Sequence, residues 1–463
     1  MKILLLNPSY SKKKLSTDPI LTRCTGVPSK APYTWPPIGL AYIASAIKEL
    51  SDADVKIIDA RVDGFEIGMA KDFNLVVINT GTPTINFDIQ LSQKIKELNG
   101  PKVALIGVHA AFFHNELAKC CDFIIRGEPD TVLANLVNCI ERGQDARRVN
   151  GITWNDRGHV CVNKNEKPIE NLDGLPFQAI DLLSKKYYDI LTKRRPIAFM
   201  ITSRGCPFRC AFCSAKFYSG KYRYRSAKHV VDEMKFLLNK GFKDITFFDD
   251  SFTANKKRVI DLCDIIQEDK LDVTWRCLSR VDALDGEMLK KMKQAGCYQV
   301  QFGVESGNQS ILNSMKKGIS IERIWKTFGL CDSMGIETVG FFMLGYPGET
   351  IESINETIKT AHKISPDFVT FNLFTPLPGS EIFNSMDKKE WEQYDFTSTS
   401  FCDIPSEKMV ELIGKAYRGY YLRPSYLFRR ISKTREPIRI LRQNLKFWTK
   451  RSGVLWDFIK LRK

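Results

Sequence analysis

No stretch of this sequence reaches the roughly 18 apolar residues of a membrane-spanning helix. The first run, Lys2 to Leu6, is too short for the apolar core of a secretory signal and reads as a strand. No Gly-x-Gly-x-x-Gly follows any strand-like segment, which removes the ordinary dinucleotide cofactors. The thirteen cysteines lack the spacing of a disulfide framework, so the expected compartment is the cytoplasm. Net positive charge is scarce outside one tail. Residues 414–463 hold fifteen Lys or Arg against Glu436 and Asp457, which accounts for thirteen of the sixteen net positive charges. The near-neutral remainder argues against a body built to hold nucleic acid.

What is present is a tight group of thiols. Ser203-Arg204-Gly205-Cys206-Pro207-Phe208-Arg209-Cys210-Ala211-Phe212-Cys213 spaces three cysteines as Cys-x3-Cys-x2-Cys. The apolar run Ile197 to Ile201 leads in as a buried strand, and Gly205 and Pro207 break it, so the cysteines sit on a loop. A loop can gather thiolates around one point, which the alternating side chains of a strand cannot. Thiolates are soft ligands suited to zinc or iron–sulfur. A disulfide is disfavoured by the odd count. Structural zinc needs a fourth ligand nearby, and the next candidates, His229 and Cys263, are distant in sequence. Three buried structural cysteines are the plain alternative. A [4Fe–4S] cluster takes four thiolates as a rule, so three leave one iron open for another ligand.

Around this loop the chain alternates β and α twice. Short β-branched-rich strands fall at Lys2–Leu6, Val55–Asp59, Asn74–Asn79, Val103–Ile106 and Asp122–Ile125, with helical patterns between them. This predicts a doubly wound, Rossmann-like parallel sheet over residues 1–145. Residues 146–195 read as a connector containing a β-hairpin. From 196 to about 400 six further βα units predict an open, partial (β/α)6 barrel, followed by a basic helical region, 401–463. In both architectures ligands sit at the carboxyl ends of the strands. Those ends carry the chain's polar signals: Asp249-Asp250, Arg280, Glu305 and Gly345-Tyr346-Pro347-Gly348-Glu349.

The cysteine motif, with Phe212 as the aromatic before its last cysteine, resembles the signature of the radical SAM superfamily. Pro36-Pro37-Ile38-Gly39-Leu40, Gly107-Val108-His109 and Arg126-Gly127-Glu128 resemble the amino-terminal domain of the superfamily's cobalamin-binding class. The resemblance runs over most of the chain. It implies that Cys206, Cys210 and Cys213 hold a [4Fe–4S] cluster. S-adenosylmethionine would bind its open iron, and one electron would cleave the sulfonium to a 5′-deoxyadenosyl radical. By the same resemblance Phe212, Asp249, Asp250, Arg280, Glu305, Gly345 and Pro347 contact SAM: an Asp at the ammonium, Arg280 and Glu305 at the carboxylate, ribose or sulfonium, and the Gly-Pro turn at the adenine. Asn7, Thr80, Gly81, Gly107, His109, Gly127 and Glu128 would border a corrin. The class usually shows two glycines before Gly107-Val108-His109's position of histidine; here Ile106 replaces the first, which is expected to narrow the approach of the ring. No Asp-x-His-x-x-Gly is present, so no lower imidazole ligand to cobalt is implied. His109 has two readings, a corrin neighbour or a loop histidine bonded to backbone.

The implied activity is methyl transfer from methylcobalamin to an unreactive carbon. The alternative uses the same cofactors for ring closure or skeletal rearrangement in tetrapyrrole, lipid or natural-product pathways. Methylthio transfer to tRNA would need three further amino-terminal cysteines at a spacing that Cys24, Cys120, Cys121 and Cys139 do not have. A non-catalytic corrin-binding protein is the remaining reading. The expected partners are a small, apolar substrate and a one-electron reductant such as flavodoxin or ferredoxin. In the tail, Ile438, Leu441, Leu445 and Trp448 share a helical face, with Arg439, Arg442, Lys446 and Lys450 opposite. That pattern suits a peripheral contact with an anionic membrane or packing on the barrel.

Overall fold

The computed structural model describes residues 1–9, 35–187, 193–386 and 399–432. Strand β1 (Lys2–Asn7) shows why the amino-terminal half folds as it does. Its apolar run has no polar face, as expected for a strand covered on both sides. Ile3 and Leu5 pack with the helices Ile38–Leu50 and Pro129–Glu141, while Leu4 and Leu6 pack on the opposite face with Ile85, Leu91 and Ile95. Strands β2 (Asp54–Asp59), β3 (Leu75–Asn79), β4 (Lys102–Ile106) and β5 (Phe123–Ile125) join it in the order β2-β1-β3-β4-β5, all parallel. The strand order reverses at β1, so the crevice at the carboxyl ends of β1 and β3 is where such a sheet binds ligands.

The hairpin expected in the connector, β6 (Ile152–Asp156) and β7 (His159–Val162), is not a free linker. It pairs antiparallel with β5 and extends the same sheet to seven strands. The helical pattern between β4 and β5 forms two short pieces, Val108–Phe112 and His114–Leu117, broken at Phe113.

The second sheet consists of β8 (Ile197–Met200), β11 (Asp244–Phe247), β12 (Thr274–Ser279), β13 (Cys297–Glu305), β14 (Glu337–Leu344) and β15 (Phe368–Leu373), parallel and in sequence order. Among the described residues β8 and β15 do not pair, which leaves the expected six-stranded partial barrel open. A two-stranded ribbon, β9 (Ser203–Arg204) with β10 (Arg223–Tyr224), brackets the cysteine loop. The five outer helices from Ala227–Asn239 to Ile351–Ile364 each begin with a side-chain cap: Ser226, Asn255, Asp285, Ser320 and Thr350. Each cap contributes about 1 kcal/mol and fixes where a strand-end loop must stop.

The free edge of β15 is covered by the helix Ser406–Tyr421. The Tyr421 hydroxyl accepts from Val369 N (3.0 Å) and donates to Val369 O (2.8 Å), and the Tyr417 hydroxyl accepts from Phe371 N (3.0 Å). Sequence patterning did not anticipate this cover or the helix Gln309–Ser314. The amphipathic stretch 437–463 lies outside the described residues.

Candidate active site where two sheets meet

Tertiary contacts hold the cysteine loop open. Gly205 adopts φ +74°, and a Cβ there would lie 2.9 Å from Lys221 O, so the tight entry to the loop needs glycine. Ala211 N donates to Met315 O (2.9 Å) and Ile382 N donates to Ala211 O (3.0 Å), which pins the middle of the loop on both sides. Cys206, Cys210 and Cys213 form no disulfide and are half-buried. The scattered Cys121, Cys263, Cys297 and Cys331 are buried, and burial pushes each thiol up, which suits inert packing. Among the described residues no group of three His, Cys, Asp or Glu is spaced for a single metal ion. An iron–sulfur cluster takes its thiolates at separate irons, so the loop suits it in donor type and number.

Two cations converge on this loop. Arg280 Nη1 lies 3.5 Å from Cys210 Sγ, its guanidinium covers the Phe208 ring at 3.8 Å, and Asp282 holds it with two bonds of 2.9 Å. Lys317, buried, reaches Glu305 Oε1 at 2.8 Å and lies over the Phe212 ring. Burial works against the Lys317 charge, but the Glu305 carboxylate and the Cys210 sulfur outweigh it and raise the ammonium above its ordinary range. Glu305 itself sits at φ +68°, a left-handed conformation unusual for a residue with a side chain. Such strain clusters at functional sites. Gly303 makes it sterically possible: a Cβ there would meet Glu305 Oε1 at 2.4 Å. Lys317 was missed in the sequence, where Lys316-Lys317-Gly318 reads as an ordinary basic turn.

The turn after β14 forms one wall. Gly345 has φ +89°, and its N–H donates to Glu349 Oε2 at 2.5 Å; Tyr346 N donates to the same oxygen at 3.1 Å. Burial pushes the Glu349 carboxyl up to about 7. Phe212 joins an apolar group of Ile311, Met315, Tyr346 and Phe374 beside this turn, which also carries Pro347. The Asp pair divides. Asp249 is fully buried, and its carboxylate accepts from Thr202 N (2.5 Å), Ser203 N (3.1 Å) and the Thr202 hydroxyl. It positions the strand end before the cysteines and is not aimed at a ligand. Asp250 lines a cleft between the two sheets, with Phe248, Tyr218, Glu128 and Asp130.

Across that cleft lies the carboxyl edge of the first sheet. Asn7 is buried at the end of β1, and Asn79 Nδ2 donates to its Oδ1 (3.1 Å). Thr80 Oγ1 donates to Ile106 O (2.7 Å), and Gly81 N donates to Asp88 Oδ2 (3.2 Å). Gly81, Gly107 and Gly127 follow β3, β4 and β5 in turn. At Gly107, with φ +116°, a Cβ would stand 2.7 Å from Thr80 O. Three strand ends therefore present backbone, a floor that fits a large planar ring. Ile106 does not narrow it as expected: its side chain is buried in the core with Ile3, Val77 and Ile125. His109 is fully buried, its ring 4.8 Å from that of Phe113, and burial pushes its imidazole down to about 3, so it is neutral.

Glu128 has another task than the expected corrin contact. It pairs with Arg223 (2.7 and 3.0 Å) and accepts from Ile169 N (2.9 Å), while neighbouring Asp130 pairs with Arg204 through two bonds of 2.9 Å. These pairs clamp the first sheet to the two strands that bracket the cysteine loop. A second buried network joins Tyr42, on the first long helix, to Glu233 and Arg225 of the barrel and to Gln178 of the connector.

Comparison with known proteins agrees with this geometry. A family model described as the radical SAM superfamily matches residues 200–361, and one described as a B12 binding domain matches residues 25–137. An uncharacterized methyltransferase of Pyrococcus horikoshii is 33% identical over 454 residues, covering 93% of this chain and 95% of its own. An anaerobic magnesium-protoporphyrin IX monomethyl ester cyclase of Rubrivivax gelatinosus is 29% identical, over 90% of this chain and 79% of its own. Among solved structures, the radical S-adenosylmethionine methyltransferase TsrM of Kitasatospora setae superposes with a TM-score of 0.65 at 19% identity, over 82% of this chain and 74% of that one, and so shares the fold. With a B12-binding sheet and a radical SAM barrel in one chain, and a full-length relative above 30% identity, the protein belongs to the cobalamin-dependent radical SAM methyltransferase family.

Proposed function

We propose that this enzyme methylates an unactivated carbon of a small molecule held inside the open barrel. The observation that supports this most is the meeting of the two carboxyl edges: Arg204, two residues before Cys206, and Arg223 pair with Asp130 and Glu128, which follow β5 of the first sheet, and all but Arg223 line one cleft. When bound, the cluster supplies one-electron cleavage of SAM, and cobalamin supplies the methyl group.

The chain's own residues do the rest. Cys206, Cys210 and Cys213 would hold the cluster, and the Arg280 guanidinium beside Cys210 balances the negative charge of the thiolates. Glu305 and Lys317, fixed by strain and by their mutual ion pair, would receive the charged amino-acid end and ribose of SAM, with Asp250 at the ammonium. The Gly345–Glu349 turn with Phe212 would flank the adenine. Thr80, Gly81, Gly107 and Gly127 would border the corrin, whose unit we extend through β7. A closed cleft keeps water from reactive intermediates.

The test is anaerobic incubation of the reconstituted enzyme with methyl-labelled SAM, a flavodoxin or ferredoxin reductant and cell extract. Deoxyadenosine together with label in a small-molecule product supports the reading. Deoxyadenosine without label in any product favours ring closure, the activity for which the Rubrivivax relative is named. No helix among the described residues is long and apolar enough to cross a membrane. A peripheral contact through the basic tail is a proposal from its sequence, tested by liposome co-sedimentation of the full chain with and without residues after 432.

A further inference from the structure

One row of side chains crosses the barrel at mid-height. The registers align Phe199, Thr246, Arg276, Gln299 and Glu337 on adjacent strands β8, β11, β12, β13 and β14. Because side chains alternate along a strand, their neighbours point the other way. Those neighbours, Met200, Phe247, Trp275, Cys277 and Val300, are fully buried against the outer helices. The row therefore faces the barrel interior, the side on which Arg280 meets Cys210 at the end of the same β12.

Arg276 is unusual in this row. It is 94% buried, with 6% of its surface exposed. Its Nε donates to Thr246 Oγ1 at 2.7 Å, and its guanidinium lies 5.5 Å from the Trp35 ring. The buried Nη2 meets no acceptor, and no carboxylate among the described residues lies within ion-pair distance. Arginine cannot shed its proton, so the positive charge persists in the interior. A carboxylate that feels it, Asp244, begins the neighbouring strand. It is engaged with Arg194 N (3.3 Å) and Tyr298 OH (3.5 Å), and burial leaves its carboxyl above the ordinary range. Glu337, at the far end of the row, accepts from Gln299 (3.1 Å).

The wall beside Arg276 is aromatic. Phe199 and Phe248 stack with centroids 5.4 Å apart, and Trp35 meets both edge-on at 5.4 and 5.5 Å. Thr246 occupies Nε, so the Nη1–Nη2 edge remains as the two-pronged donor that matches an oxyanion.

We propose that Arg276 is the anchor for an anionic group of the substrate, a carboxylate or a phosphate ester, on a flat apolar body that lies along the Trp35–Phe199–Phe248 wall. This rests on the functional reading above and deepens it by naming the substrate class. Arg276 lies four residues before Arg280, about 13 Å at the rise of a strand. A molecule anchored there reaches the cluster end of the barrel with its opposite end, where the unreactive carbon would lie.

The test uses calorimetric titration of the purified full chain with three probes: 2-naphthoate, 2-naphthyl phosphate and the neutral 2-naphthamide. At least one anion is expected to bind the parent. Its affinity should fall at least tenfold in Arg276→Gln, fall less in Arg276→Lys, which keeps the charge but loses the two-pronged edge, and fall moderately in Thr246→Val, which frees Nε; 2-naphthamide should not distinguish them. The tighter anion tells carboxylate from phosphate. Circular-dichroism melting checks folding, and Thr246→Val decides if Arg276→Gln does not fold. Failure of both anions to bind the parent, or equal binding by the variants, overturns the assignment. Deoxyadenosine formation by the parent is measured separately. Probe binding without it would remove the enzymatic reading and leave the anion site standing.

Discussion

Replacing Arg223 by alanine tests how the two sheets are held together. Arg223 and Glu128 are 7% and 9% exposed, and the arginine also donates to Ile169 O and Ser219 O at 2.6 Å. Its loss leaves Glu128 buried with Ile169 N and with Arg204 at 3.5 Å. Removing one partner of a buried pair costs about 3–5 kcal/mol. At roughly 2–4 °C per kcal/mol for a unit of this size, the melting temperature should fall by roughly 6–20 °C. Replacing both partners with leucine should restore much of this, because no charge is then left unpaired. The pH dependence has a definite sign. Burial pushes the Glu128 carboxyl up, but the Arg223 hydrogen bond and the Arg204 charge outweigh it, so the folded value lies below the unfolded one. This stability is present above the ordinary carboxylate range and is lost as pH falls through the lowered folded value. The assay is thermal melting with limited proteolysis in the connector, from about pH 7 down to about pH 3. A single Arg223→Ala variant that melts within about 2 °C of the parent and resists protease equally would refute the reasoning, since the cited cost of a buried unpaired carboxylate could not then apply.

Alanine at Cys206, Cys210 or Cys213 should abolish the charge-transfer absorbance of the reconstituted cluster and deoxyadenosine formation, whereas Cys263→Ala, a buried packing change, should retain both. Gly205→Ala should lower cluster content measured as iron per chain, because its Cβ would stand 2.9 Å from a backbone carbonyl in a left-handed conformation. Gly303→Ala should weaken SAM binding by at least tenfold in equilibrium dialysis, since the new Cβ displaces the Glu305 carboxylate. Glu349, pushed up to about 7 by burial, contributes stability that is full below its unfolded value near 4.3 and declines as pH rises to about 7. Glu349→Gln should flatten the melting curve over that window, and an unchanged slope would remove Glu349 as its cause.

Much of this was legible in the sequence because the signals are local. A strand buried on both faces must read as an unbroken apolar run, and a helix between such strands must be amphipathic, so Lys2–Asn7 and Lys102–Ile106 could each be placed to within one residue at one end. The cysteine spacing is likewise local. What escaped depends on residues far apart in sequence. Glu128 looked like part of a cofactor motif, and only the approach of Arg223, ninety-five positions away, gives it a mechanical task. Ile106 looked obstructive because a sequence does not say which way a strand-end side chain turns. Lys317 has no local mark at all, and its partner Glu305 gives it meaning. Asp249 and Asp250 are adjacent and chemically identical, and the pleat alone divides them into a buried support and a cleft residue.

The phenols along β15 have a consequence for how the barrel moves. A barrel closed by a further strand would have a continuous ladder, and widening it would require many bonds to yield together. Here the last strand is sealed by side chains: Tyr417 and Tyr421 satisfy Phe371 and Val369, while Tyr420 and Tyr426 satisfy the carbonyls of Pro366 and Asp367. Each such bond contributes about 1 kcal/mol net and can be released by one side-chain rotation. The seam between β15 and its covering helix is therefore the softest joint in the second sheet. Parting this seam leaves the strand-to-strand ladder from β8 to β15 unbroken. Hydrogen exchange should record this directly, with the Val369 and Phe371 amides opening before those of β12 and β13.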